Sequence, residues 1–164
     1  MLGLCIFAVA CNSSTDLPTT PSSVVGATEA QVQANGGPPV EVTFTKWIDP
    51  MLGFPSFTGV AGGDVPGDFV ATVLSRNPFD NGVIVRLEAR YEVIADDPTR
   101  SFVVVIEGKQ NQQTQSAVLN GTVVEGWLTG ARAHVTFDVI SPCPQFNQTR
   151  CFAGTIRILP GSAH

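Results

Sequence analysis

The sequence predicts an all-β protein, a small closed antiparallel barrel of about eight strands, with a two-sheet β-sandwich as the alternative. Three observations lead there. Residues 82–95, GVIVRLEARYEVIA, alternate without interruption: Val83, Val85, Leu87, Ala89, Tyr91 and Val93 share one parity, and Arg86, Glu88, Arg90 and Glu92 the other. That is the period of a strand with one dry and one wet face. Further strand-like runs surround it, separated by Gly, Pro, Asn and Asp turns, and no stretch reads convincingly as a helix. Finally, Gly108, Gly121, Gly126 and Gly154 fall inside strand candidates. A small closed sheet must coil sharply, which glycines and bulges permit, so they favour the barrel.

The chain of 164 residues is long enough for one domain with a sizeable core. Residues 1–11 read as a signal peptide and lipobox. Met1–Ala10 is uniformly apolar, too short to span a bilayer, and meets Cys11 after small residues. Cys11 is the expected lipidation site, although Ala8 stands where Leu is usual and no Lys or Arg precedes the run; a true start codon upstream of Met1 would explain the missing charges. An ordinary secretory signal cleaved near Ala10 is the alternative. The expected location is therefore the bacterial cell envelope, through an N-terminal lipid anchor in the membrane, or else secretion. Residues 12–39 are rich in Ser, Thr, Pro, Gly and Gln, cannot bury enough apolar surface to order themselves, and read as a flexible tether. Residues 40–164 form the expected barrel domain.

Within it the strand candidates are 40–47, 57–61, 68–75, 82–95, 101–108, 117–125, 131–140 and 152–159. The first, VEVTFTKW, places Val40, Val42 and Phe44 on one face. Asn77-Pro78 should end the third. The nearly all-apolar SFVVVIEG, 101–108, is the best candidate for a strand buried on both faces. Residues 109–116, KQNQQTQS, read as a polar loop tip. Tight turns make successive strands antiparallel neighbours. Four cysteines occur; Cys5 and Cys11 fall in the leader, leaving Cys143 and Cys151 to close a strand-to-strand loop as a disulfide, which suits an oxidising compartment. A metal is not expected there, because two Cys without nearby His or further Cys cannot complete a tetrahedral site.

The Gly-rich GVAGGDVPGDF (Gly59–Phe69), the charged-alternating strand, VVVIEG (Val103–Gly108) and LNGTVVEGWLTGARAHV (Leu119–Val135) together resemble the allene oxide cyclase and dirigent barrel superfamily. The resemblance covers Phe57–Leu159 as a pattern of turns and strand lengths. It implies an eight-stranded antiparallel barrel around an apolar cavity, and relatives that steer cyclisation or coupling of reactive intermediates. No family catalytic residue matches a position in this chain, and the lipobox and the Cys143/Cys151 pair depart from the plant members.

Chemistry is sparse. The formal charge of −5 and the lack of a basic patch argue against a nucleic-acid partner. His134 shares its parity with Arg132, Thr136 and Asp138, so it reads as a surface residue more than a catalytic base. The Arg86–Glu92 charges read as a solvated outer wall; a polar lumen would need the apolar parity to face lipid. Gly59–Gly67 lacks the following helix and Lys-Ser/Thr of a P-loop, and Asp64 and Asp68 lack the further carboxylates of an EF-hand loop. Tyr91, the only tyrosine, lies on the apolar parity, where it satisfies its hydroxyl locally or orients a ligand. The expected ligand is a small apolar molecule, with no cofactor, and its expected contacts are Leu87, Tyr91, Phe102, Val104, Phe137 and Trp127. The competing functions are a cofactor-independent cyclase or isomerase and a structural envelope domain without a cavity. A cavity would set aside the last, and a buried Tyr, carboxylate or Arg inside it would favour catalysis.

Overall fold

The computed structural model describes residues 37–161. The leader with Cys5 and Cys11, most of the tether, and His164 lie outside the described residues. Eight strands follow one another: β1 Val40–Ile48, β2 Ser56–Gly63, β3 Gly67–Phe79, β4 Ile84–Ala95, β5 Phe102–Asn111, β6 Ser116–Gly126, β7 Arg132–Ile140 and β8 Cys151–Leu159. Each pairs antiparallel with its neighbour, and β1 pairs with β8, so the sheet closes. The closure rules out the sandwich and leaves no free sheet edge along the main wall.

Parity decides which side of the wall each residue occupies. On β4, Val85, Ala89, Tyr91, Val93 and Ala95 are buried and Leu87 is half-buried, whereas Arg86 and Glu88 are exposed. Burying four charges would cost several kcal/mol for each unpaired ion, while burying the apolar row is favourable by about 1.5–3 kcal/mol per large side chain. Outside the wall, Arg90 Nη1 meets Glu92 Oε2 at 2.8 Å and Arg90 Nη2 lies 3.7 Å from Glu125 Oε1.

Three expectations need correction. β3 does not stop at Asn77-Pro78; it continues to Phe79. Its ladder with β2 ends at Thr72, and a bulge at Leu74 follows. Beyond that point β3 is an edge paired only with β4, where the missing proline N–H removes no ladder bond. Residues 109–116 are only half loop: β5 runs on to Asn111 and β6 begins at Ser116, which leaves 112–115 as the polar tip. β5 is buried on both faces only at its start, where Val103 on the outer side pairs in register with Glu92 and Glu125; Glu107 and Lys109 on that side are exposed.

Glycine on the inner wall lets the strands close up. A Cβ on Gly154 would fall on the Thr136 carbonyl oxygen and 2.7 Å from Phe137 Cβ. The tight β2–β3 turn needs Gly63 at φ 73°, and Asp64 completes it by accepting the Glu41 N–H at 2.8 Å. The long β7–β8 connection is closed by the Cys143–Cys151 disulfide. Its Phe146 stacks on Trp47 with ring centroids 4.7 Å apart. Trp47 therefore sits outside the wall under this loop.

The two barrel ends differ. The described chain enters and leaves at one end, where Val65, Ala131 and the half-buried Trp127 and Leu128 pack against the core. The other end carries the loops 49–55, 80–83, 112–115 and 141–150 and is partly hollow. Leu87→Ala, at the hollow end, is expected to cost about 2 kcal/mol, the low end for a truncated core leucine. Glu88→Ala, one residue along on the outer wall, should change stability by about 0.5 kcal/mol or less. Urea melts check the order, and the reverse order would contradict the inside–outside assignment.

Candidate functional site

The hollow end holds a cavity of about 180 Å³. Its walls include Phe57, Val73, Leu87, Ala89, Leu119, Phe137 and Phe152. Phe54 and Ile48 reach it from the β1–β2 side, and Arg76, Gln110, Gln112 and Arg150 complete its polar lining. The aromatic rings form a chain of edge-to-face contacts, Phe54–Phe57 at 6.3 Å, Phe57–Phe152 at 5.5 Å and Phe152–Phe137 at 5.8 Å. A second cluster lies deeper. Phe44 stacks on Phe69 at 4.8 Å, and Tyr91 meets both edge-on, at 5.7 and 5.1 Å.

Lys46 lies between these clusters. It follows Phe44 on the inner parity of β1, opposite Gly59 on β2 and Phe152 on β8. Only 3% of it is exposed. Its Nζ crosses the lumen and donates a hydrogen bond to Tyr91 Oη on β4. The nitrogen lies 3.8 Å from the Tyr91 ring centroid and 5.1–5.9 Å from those of Phe137, Phe57, Phe44 and Phe69. Among the described residues, the cavity lining contains no carboxylate.

Two effects compete for the Lys46 proton. Desolvation opposes the ammonium by several kcal/mol even after relaxation. Aromatic faces favour it by about 0.5–2 kcal/mol for a well-placed ring. Only Tyr91 is that close; the other four rings stand near the limit of useful attraction. With no counter-ion in the lining, burial wins and holds the Lys46 amine well below the usual lysine range. Burial pushes the Tyr91 phenol the other way, above its usual value. Both shifts favour the uncharged forms, a neutral amine beside a neutral phenol. The amine keeps a lone pair, and the phenol keeps a proton to donate.

Among the residues expected to touch a ligand, Leu87, Tyr91 and Phe137 line this cavity. Phe102 and Val104 point inward on β5 but lie deeper in the packed core and outside the lining. Trp127 sits at the closed end, under the Arg100 guanidinium at 4.4 Å. His134 is exposed, its Nδ1 2.8 Å from Asn120 Oδ1. The sequence reading passed over Lys46 and Gln110. Both signals were available: Lys46 continues the Val40–Val42–Phe44 parity, and Gln110 continues Phe102–Val104–Ile106–Gly108. Among the described residues no group of three His, Cys, Asp or Glu is placed to hold a metal.

No protein-family model, curated protein or solved structure matches this chain. What the barrel does must be argued from its own cavity.

Because the folded Lys46 loses its proton more readily than the unfolded one, the unfolded state binds more protons between the lowered folded pKa and the ordinary lysine value of 10.5. Stability should therefore rise with pH across that window, by at most about 1.4 kcal/mol per pH unit. Above about 10 the raised Tyr91 pKa acts oppositely, since the unfolded phenol ionises first. Lys46→Met should abolish the rise. Denaturant melts at a series of pH values check this, and an unchanged slope in the variant would contradict a neutral buried amine.

Proposed function

We propose that this chain is an exported, lipid-anchored barrel that takes a small, mostly apolar molecule into its open end. The observation that carries the reading is the cavity itself, apolar along its walls with the Lys46–Tyr91 pair set into it. Ligand sites combine an apolar wall with a few fixed polar groups in this way. At about 180 Å³ the space is slightly larger than the cavity of about 150 Å³ that takes benzene. It suits a single ring or a short chain. The Tyr91 hydroxyl can donate to an acceptor on the ligand, such as a carbonyl oxygen. Arg76 and Arg150 in the lining favour a ligand with an anionic end.

The apolar run before Cys11 supports export, and the Cys143–Cys151 bond suits an oxidising compartment.

Catalysis of the cyclase or isomerase kind is the second reading, favoured by the buried tyrosine and amine inside the cavity. Such a site would work by shaping and desolvating a reactive substrate, as the allene oxide cyclase-like resemblance implies.

Toluene is a suitable neutral probe. It should shift the amide and side-chain NMR signals of cavity residues saturably, and Ala89→Phe, which fills the space, should weaken binding about tenfold or more, the equivalent of about 1.4 kcal/mol. Equal binding by both proteins would place the ligand elsewhere. For the anchor, metabolic labelling with a fatty acid should be lost in Cys11→Ser, and labelling that survives the change would refute lipidation at this residue.

A further inference from the structure

We propose that Lys46 is a carbonyl-capturing amine, which forms an imine with a small aldehyde or ketone held in the cavity. The inference deepens the binding reading and rests on it.

Three features of the site make the step feasible. The amine is embedded in the barrel with no carboxylate in the lining to hold it as an ammonium. Its N–H is already directed to Tyr91 Oη, which fixes the nitrogen. The surrounding wall is aromatic and aliphatic, so a neutral product is favoured over a charged one. A lysine whose pKa is lowered by burial is the usual source of imine chemistry in proteins.

The atoms balance without a further reactant. The Lys46 lone pair attacks the carbonyl carbon, a C–N bond forms, and the carbonyl π electrons move to oxygen. One proton passes from nitrogen to that oxygen and gives a neutral carbinolamine. Tyr91 donates its hydroxyl proton to the departing oxygen, the C–O bond breaks, and water leaves through the open end. The iminium nitrogen then returns its proton to the Tyr91 oxygen. The net change is aldehyde plus amine to imine plus water.

The chain makes the test clean, because Lys46 and Lys109 are its only lysines. Lys109 lies on the outer wall and is exposed, so it serves as an internal control. The folded protein is incubated at neutral pH with benzaldehyde or hexanal and cyanoborohydride, then digested and mapped by mass spectrometry. Lys46 should be alkylated about tenfold or more faster than Lys109, since each unit by which a pKa is lowered raises the neutral fraction about tenfold. Tyr91→Phe should slow labelling at Lys46 by about a hundredfold, the low end for a positioned proton donor, and leave Lys109 unchanged. Toluene, which has no carbonyl, is titrated in parallel. If toluene binds but only Lys109 and the terminal amine are alkylated, the imine is wrong and the binding reading stands. If toluene does not enter the cavity and Lys46 is unreactive, both fall.

Discussion

An amine placed in an apolar barrel without a counter-ion is the constraint to which the rest of the hollow end answers. Water is a better solvent for an ammonium than any arrangement of rings. A lysine on the inner parity must therefore reach water, find a carboxylate or give up its proton. Lys46 has no carboxylate in the lining and is almost wholly buried. Among the described residues its one direct polar partner is Tyr91, whose phenol is itself held toward the neutral form by burial. In their uncharged forms the two groups satisfy each other without an ion pair. A polar pair of this kind is costly to keep half-satisfied, so its position across the barrel from β1 to β4 also restrains the lumen at that level.

The barrel geometry explains why the space lies at one end. The deep level is filled by Phe44, Phe69 and Tyr91 packed against one another, and the closed end is sealed by Val65 and Ala131 with Trp127 beside them. Toward the open end the wall shrinks at two positions: Gly59 on β2 stands opposite Lys46, and Ala89 lines the cavity on β4. Glycines that let strands approach closely also remove side chains from the lumen. The same substitutions in the wall thus serve closure and leave room.

The fold was largely legible in the sequence because strand parity is a local signal. The alternation in GVIVRLEARYEVIA gave the inner and outer rows of β4, and strand-internal glycines favoured closure over a sandwich. The site was only half legible. Parity tells which side a residue takes, not how far along the barrel axis it lies. Phe102 and Val104 were therefore grouped with Leu87 and Tyr91, although the structure buries them deeper. Lys46 was missed for a different reason. A lysine near a strand end ordinarily snorkels to water along its own stem, and only the three-dimensional placement of Tyr91, 45 positions away in the chain, shows that this one reaches across the lumen instead. The place of Trp47 likewise depends on a distant contact, with Phe146 of the disulfide-closed loop. Such contacts join elements distant in sequence and have no periodic trace.

The charge pattern narrows what can occupy the cavity. The chain as a whole is acidic, with a formal charge of −5, yet among the described residues Lys46, Arg76 and Arg150 are the only ionisable groups besides Tyr91 in the cavity lining. A cationic ligand would meet the arginines and find no anion to pair with, so it would lose its hydration without compensation. A purely apolar ligand would gain from the walls but leave the Tyr91 hydroxyl proton unused. A molecule with an apolar body and an electron-rich oxygen satisfies both requirements, because the walls bury its carbon and the phenol binds its oxygen. The Lys46 amine beside that phenol would then face the carbon to which the oxygen is attached. In this arrangement recognition and reactivity draw on the same pair of side chains.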